Sequence, residues 1–149
     1  MRPELGEYLL QTAQKLALEL AETQANDYDG ATLRIYALLN MIGAGEHDRG
    51  ADLRAWENGQ MRRLFARASV AIEDVDLAKK LRDATALQEA SLRISDLNDT
   101  GDALRRVLID LQAYLDGQVD PGLIALNRDS WTYLAEATKR RALTLMPMG

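Results

Sequence analysis

"ATLRIYALLNMIGAGEHDRGADLRAW", residues 31–56, decides how this chain is organised. Its first half is apolar on nearly every side of a helix. Leu33, Ile35, Ala37, Leu38, Leu39, Met41 and Ile42 leave no wide polar face, the pattern of a helix surrounded by others. Glycines at 43 and 45 then supply the permissive backbone at which helices commonly end. On this reading a second helix runs from about Gly30 to Ile42. A polar turn follows, carrying the single histidine, and a third helix starts near Asp52.

Helical signals continue outward on both sides. Pro3 suits the first position of an N-terminal helix, because its missing N–H has no partner to lose there. Leu5, Tyr8, Leu9, Ala13, Leu16, Ala17 and Leu20 recur at three- and four-residue steps until "QANDYDG" (24–30) ends the pattern. In the third helix Leu53, Trp56, Leu64, Phe65, Ala68 and Ile72 form the buried face, and Gly59 marks a place for a kink. Asp76 is the expected cap of a fourth helix over Leu77–Leu97, with "NDTGD" (98–102) as a break. The fifth is the cleanest: Leu104, Val107, Leu108, Leu111 and Leu115 face in, opposite Arg105, Arg106, Asp110, Gln112 and Asp116. Asp120–Pro121 restarts a helix that "NRDS" (127–130) interrupts, Asp129 capping a final segment with Trp131 and Leu134 inside. Residues 144–149 read as a frayed tail. The expected fold is all-α: one domain, 1–149, an antiparallel bundle of five to six helices joined by short loops.

Composition narrows the chemistry. There is no cysteine, which removes disulfides and thiolate metal sites and fits a reducing compartment. The net charge is −5. Residues 1–60 hold five Lys/Arg against ten Asp/Glu, whereas residues 61–149 hold thirteen of each. No basic stripe marks a nucleic-acid surface. No run approaches the ~20 apolar residues of a membrane span, and "MRPELGEYLL" (1–10) places acids where a signal peptide is apolar. The expectation is a cytoplasmic protein with neither nucleic acid nor membrane as partner.

The weak metal or catalytic candidates are Glu46, His47 and Asp48. A catalytic zinc takes about three protein ligands, usually more than one of them imidazole, and this chain has a single histidine. Carboxylates alone suit Mg²⁺ or Ca²⁺, but the spacing matches no calcium loop. The simpler reading makes the stretch a turn with Asp48 or Asp52 capping the next helix. Serines at 69, 91, 95 and 130 stand in no nucleophile elbow, and no phosphate-binding glycine motif is present. No catalytic residue and no cofactor are assigned.

Arg34 is the candidate ligand anchor, with Tyr36 and Tyr8 as polar contacts in an apolar pocket. It lies about 200° around the helix from Tyr36, on a side with Ala31, Ala37, Leu38 and Met41. A buried guanidinium needs an anion, either Glu19 or Glu22 within the protein or a carboxylate or phosphate ligand, unless its stem snorkels to bring the charge to water. Three functions follow. The first is a non-catalytic module that assembles as a homodimer or docks a protein partner through its excess apolar helix surface. The second is small-molecule binding around Arg34, and the third a metal-dependent enzyme at Glu46–His47–Asp48.

Overall fold

In a computed structural model residues 4–142 are described, and all regular structure among them is helical, with no strand. Helix α1 (Leu5–Gln14) continues through a π-helical turn (Lys15–Leu20) and a 3-10 turn (Ala21–Thr23). Then follow α2 (Asp27–Ala71), α3 (Val75–Ala86), α4 (Ile94–Leu115) and α5 (Pro121–Arg141). The all-α class is as expected. The described chain forms two compact units, dividing between Gly50 and Ala51. Among the described residues no helix is long and apolar enough to cross a bilayer. The expected start at Pro3 and the tail at 144–149 lie outside the described residues.

The first unit is a helical hairpin. Asn26 begins its second arm: its side-chain oxygen accepts the Asp29 N–H at 2.8 Å, and its amide donates to the Asp29 carboxylate at 2.8 Å. The arms run antiparallel, with Gly6 beside Ala44 and His47, Leu9 beside Gly43, and Ala21 beside Gly30. Small residues hold the seam. Gly30, Ala37 and Ala44 stand seven apart on α2: Gly30 meets Ala21, Ala37 clusters with Ala13 and Ala17, and Ala44 lies beside Gly6, with Leu16 and Met41 packed against the cluster. A seven-residue step returns a helix to nearly the same face, so these positions form one line. A Cβ at Gly30 would stand 3.1 Å from the Ala21 carbonyl oxygen, so glycine permits close backbone approach there. The π turn serves the same seam. Its wider ring, closed by Ala21 N–H on the Leu16 carbonyl, takes up the angular drift that four-residue steps accumulate in an α-helix.

The second unit is an up-down-up-down four-helix bundle built from the rest of α2 with α3, α4 and α5. Cross-helix pairs fix the directions. Arg62 and Arg82 tie α2 to the start of the 87–93 connection and α3 to Ser69, antiparallel. Lys80 pairs with Asp110 between antiparallel α3 and α4, and Arg67–Asp129 with Glu57–Arg141 link α2 to antiparallel α5. Met61, Leu64, Phe65, Leu81, Leu104, Leu108, Leu111 and Leu126 fill the core, each burial stabilising by about 1.5–3 kcal/mol against exposure.

Several expected boundaries move, each for a physical reason. The glycines at 43 and 45 do not end a helix, and Asp48 and Asp52 cap nothing, because α2 runs straight through them. A glycine stop uses a left-handed backbone, and among the described residues only Gly117 has it, at φ 75°. Gly43 instead makes room for Leu9. Gly59 causes no break either. The cap of α3 is Asp74, which accepts from the N–H groups of Asp76 and Leu77, and not Asp76. The expected 77–97 helix divides, because Arg62 captures the Leu87 carbonyl at 2.9 Å and the Glu89 carboxylate at 2.8 Å. "NDTGD" is helical within α4, with Thr100 and Gly101 buried. "NRDS" is helical within α5, since Ser130 turns back to the Asn127 carbonyl and Asp129 pairs with Arg67. Asp120 caps α5 ahead of Pro121 as expected. Trp131 is 61% exposed and not core, and the first half of α2 is open to solvent instead of enclosed.

Two glycines of the second unit separate close packing from mere tolerance. A Cβ at Gly101 would fall 2.9 Å from Oδ1 of buried Asn58, which is tied to Glu89 and the Leu97 carbonyl and has little room to retreat. A Cβ at Gly59 meets only the end of Arg63, at 3.8 Å. In urea unfolding Gly101→Ala should lower stability by about 1–3 kcal/mol. Gly59→Ala should raise it by up to about 1 kcal/mol.

Candidate functional site

The sequence-predicted site residues all fall in the first unit. Arg34 donates to Glu22 at 2.6 Å, so one of the two expected carboxylate partners is present. Both side chains are half or more exposed, so the pair lies at the surface and not inside the hairpin. Tyr36 and Tyr8 are exposed as well. The antiparallel register sets Tyr8 near Gly43, nine residues from Arg34, or about 13 Å along the axis. Arg34 and Tyr8 are therefore not brought together.

Glu46, His47 and Asp48 are exposed on successive positions of α2, pointing about 100° apart. The His47 ring packs on the α1 backbone, where a Cβ at Gly6 would stand 3.8 Å from its Cδ2. No cluster of three or more His, Asp or Glu side chains suited to a metal ion occurs among the described residues.

The deepest charge was missed by sequence reading. Glu57, 1% exposed at one end of the second unit's bundle, accepts two bonds from Arg141 (2.5 and 2.7 Å) and one from Arg105 (3.0 Å). Burial pushes its carboxyl upward, but the two guanidinium groups, Arg141 foremost, outweigh that and hold it below the usual 4.5. Tyr133 lies nearby, its phenol raised to about 12 by burial and by the Glu57 charge. The Trp56 ring lies 6.3 Å from the Tyr133 ring, and the Arg140 guanidinium carbon stands 4.1 Å over it. Asn58, Arg62 and Glu89 continue the network, and Arg62 helps keep the Glu89 carboxyl low against its burial. The ionised carboxylate ties α2 to α4 through Arg105 and to α5 through Arg141, locking the three helices together. The one sequence signal was Glu57 lying in line with Leu53, Leu64 and Phe65, on the inward face of α2.

The second unit also carries two open clefts. One, about 270 Å³, is lined by Gln112, Ala113, Asp116, Asn127 and Trp131. The other, about 370 Å³, lies among Asp74, Asp76, Lys80, Asp110 and Tyr114, and its only cation is paired with Asp110.

The remaining feature is a surface. Up to Gly50, every buried hydrophobic among the described residues is an alanine. Leu16 and Met41 pack half-buried against these alanines, whereas Leu5, Tyr8, Leu10, Leu18, Leu20, Tyr28, Ile35, Tyr36, Leu38 and Leu39 are exposed. Comparison of the chain with family models, with curated proteins and with solved structures finds no match.

The Glu57 lock carries a pH signature. Its folded carboxyl titrates below the unfolded one, so its stabilisation is complete above about pH 4.5 and is lost as pH falls through the lower folded value. Glu57→Gln should cost about 1.5–3 kcal/mol at neutral pH. Its urea midpoint should fall less than wild type between pH 6 and pH 3. Equal acid sensitivity in the two proteins would contradict the lock.

Proposed function

We propose that this chain is a non-catalytic helical assembly module that docks through the outward face of its N-terminal hairpin. The supporting observation is the inversion of size across that hairpin: its fully buried apolar residues are alanines, while most of its leucines, with Ile35 and the tyrosines, are exposed. Globular chains scatter single apolar residues over their surface, whereas contiguous apolar surface marks an interaction site.

The same face explains how so slight a unit is held. Alanine burial supplies little hydrophobic stabilisation, since it removes only one methyl per residue from water. Small units of this kind depend on disulfides, a metal or association. The chain has no cysteine, and no metal cluster occurs among the described residues. Association through the exposed face would add the apolar burial that the alanines do not supply. Among the polar groups, Arg34 is engaged by Glu22 and Glu57 by two arginines, so the charged candidates serve structure.

Sedimentation velocity on the full chain tests this reading. Wild type should associate as concentration rises into the high micromolar range. Ile35→Lys with Leu39→Lys should leave it monomeric and helical, because a lysine tip does not enter a dry seam. Val119→Lys, a still more exposed apolar position in the second unit, should change nothing. A wild-type chain that remains monomeric throughout contradicts the proposal.

A further inference from the structure

The exposed stripe on α2 has a symmetry of its own. Ile35, Leu38, Leu39 and Ile42 follow the i, i+3, i+4, i+7 rule and share one face, roughly opposite Gly30, Ala37 and Ala44. Ile35 is 57% exposed, Leu39 56%, and Ile42 half-buried. Their order reads the same from either end: Ile, two residues, Leu-Leu, two residues, Ile. A surface that contacts its own copy through a two-fold axis must be complementary to itself, residue i meeting j while j meets i. A palindromic apolar stripe satisfies that condition when the two helices run antiparallel.

We infer that the docking partner is a second copy of this chain, seated antiparallel on this stripe with the two-fold axis passing between Leu38 and Leu39. The inference rests on the assembly reading above and adds the partner and its orientation. Ile35 then lies against Ile42 of the second copy, and Leu38 against Leu39. Continuing the register places Tyr28, 80% exposed, opposite Arg49, also exposed, so a phenol ring meets a guanidinium at each end of the seam. Asp29 and Asp48 lie about 130° around the helix from the stripe, and Glu46, which continues the stripe, falls opposite Ala31 of the second copy and about 22 Å along the axis from its own copy. The stripe, Tyr28 and their polar flanks offer on the order of 500 Å² a side, so two copies remove about 1,000 Å², the lower bound for a specific interface.

Cysteine cross-linking of the full chain tests the orientation cleanly, because the native sequence has no cysteine. In the antiparallel seam, position 38 and its copy are offset by one residue, about 1.5 Å along the axis. Position 35 and its copy are offset by seven, about 10 Å, beyond the reach of a disulfide. Under mild oxidation Leu38→Cys should give covalent dimer as its main product. Ile35→Cys alone should stay uncross-linked, and the double variant Ile35→Cys with Ile42→Cys should link. All three positions are partly or largely exposed, and circular dichroism verifies that each variant stays helical. If Ile35→Cys links as readily as Leu38→Cys, the seam is parallel and the inference is overturned. If wild type associates but no variant links, the two-fold at Leu38 and Leu39 is wrong while the assembly reading stands. A monomeric wild type overturns both.

Discussion

Small residues on a seven-residue repeat govern the first unit. Two helices that meet through Gly30, Ala37 and Ala44 on one side and Ala13, Ala17 and Ala21 on the other approach closely along their length. That closeness has a geometric consequence. The fully buried positions of the seam take alanine or glycine, Leu16 and Met41 pack half-buried against them, and Ile35, Leu38 and Leu39 are turned toward solvent. The hydrophobic cluster that closes the hairpin is therefore small, and much apolar surface stays exposed.

The second unit solves the opposite problem. Its core is made of Met, Phe and branched aliphatics from four helices, and hydrophobic burial suffices to hold it. At one end the packing becomes polar and specific. Glu57 draws α4 and α5 onto α2 through Arg105 and Arg141, while Asn58 holds the chain where α4 begins. A buried carboxylate with three charge-assisted bonds fixes geometry more than it adds stability, since desolvation offsets much of the attraction. Gly101 belongs to the same device, because any side chain there would displace Asn58.

Much of this was legible in the sequence. Helical periodicity identified the class, the Asp120–Pro121 start of α5 and every inward residue of Leu104–Leu115. What misled were the glycines. Gly43, Gly45, Gly59 and Gly101 each read as a stop, a kink or a break, and each sits inside a continuous helix. Composition cannot distinguish a glycine chosen for left-handed backbone from one chosen for missing volume; only the neighbouring helix reveals the second. The site was legible in its parts and not in its arrangement. Arg34 found its expected carboxylate in Glu22, but at the surface. Glu57 drew no attention because its arginine partners lie 48 and 84 residues away in the chain. Residues 31–42 are apolar all round, yet only Ala37 among them is fully buried, Leu33, Met41 and Ile42 are half-buried, and Ile35, Leu38 and Leu39 are exposed, so the stretch is not enclosed.

The size inversion across the hairpin is the central claim, and methyl cross-relaxation tests it most directly. In protein labelled at alanine, leucine and isoleucine methyls, the Ala37 methyl should show nuclear Overhauser contacts to those of Ala13 or Ala17. The methyls of Ile35 and Leu39 should show none to these alanines. Contacts from Ile35 and Leu39 to the α1 alanines, with Ala37 isolated from them, would mean that α2 is turned by half a revolution and would contradict the account.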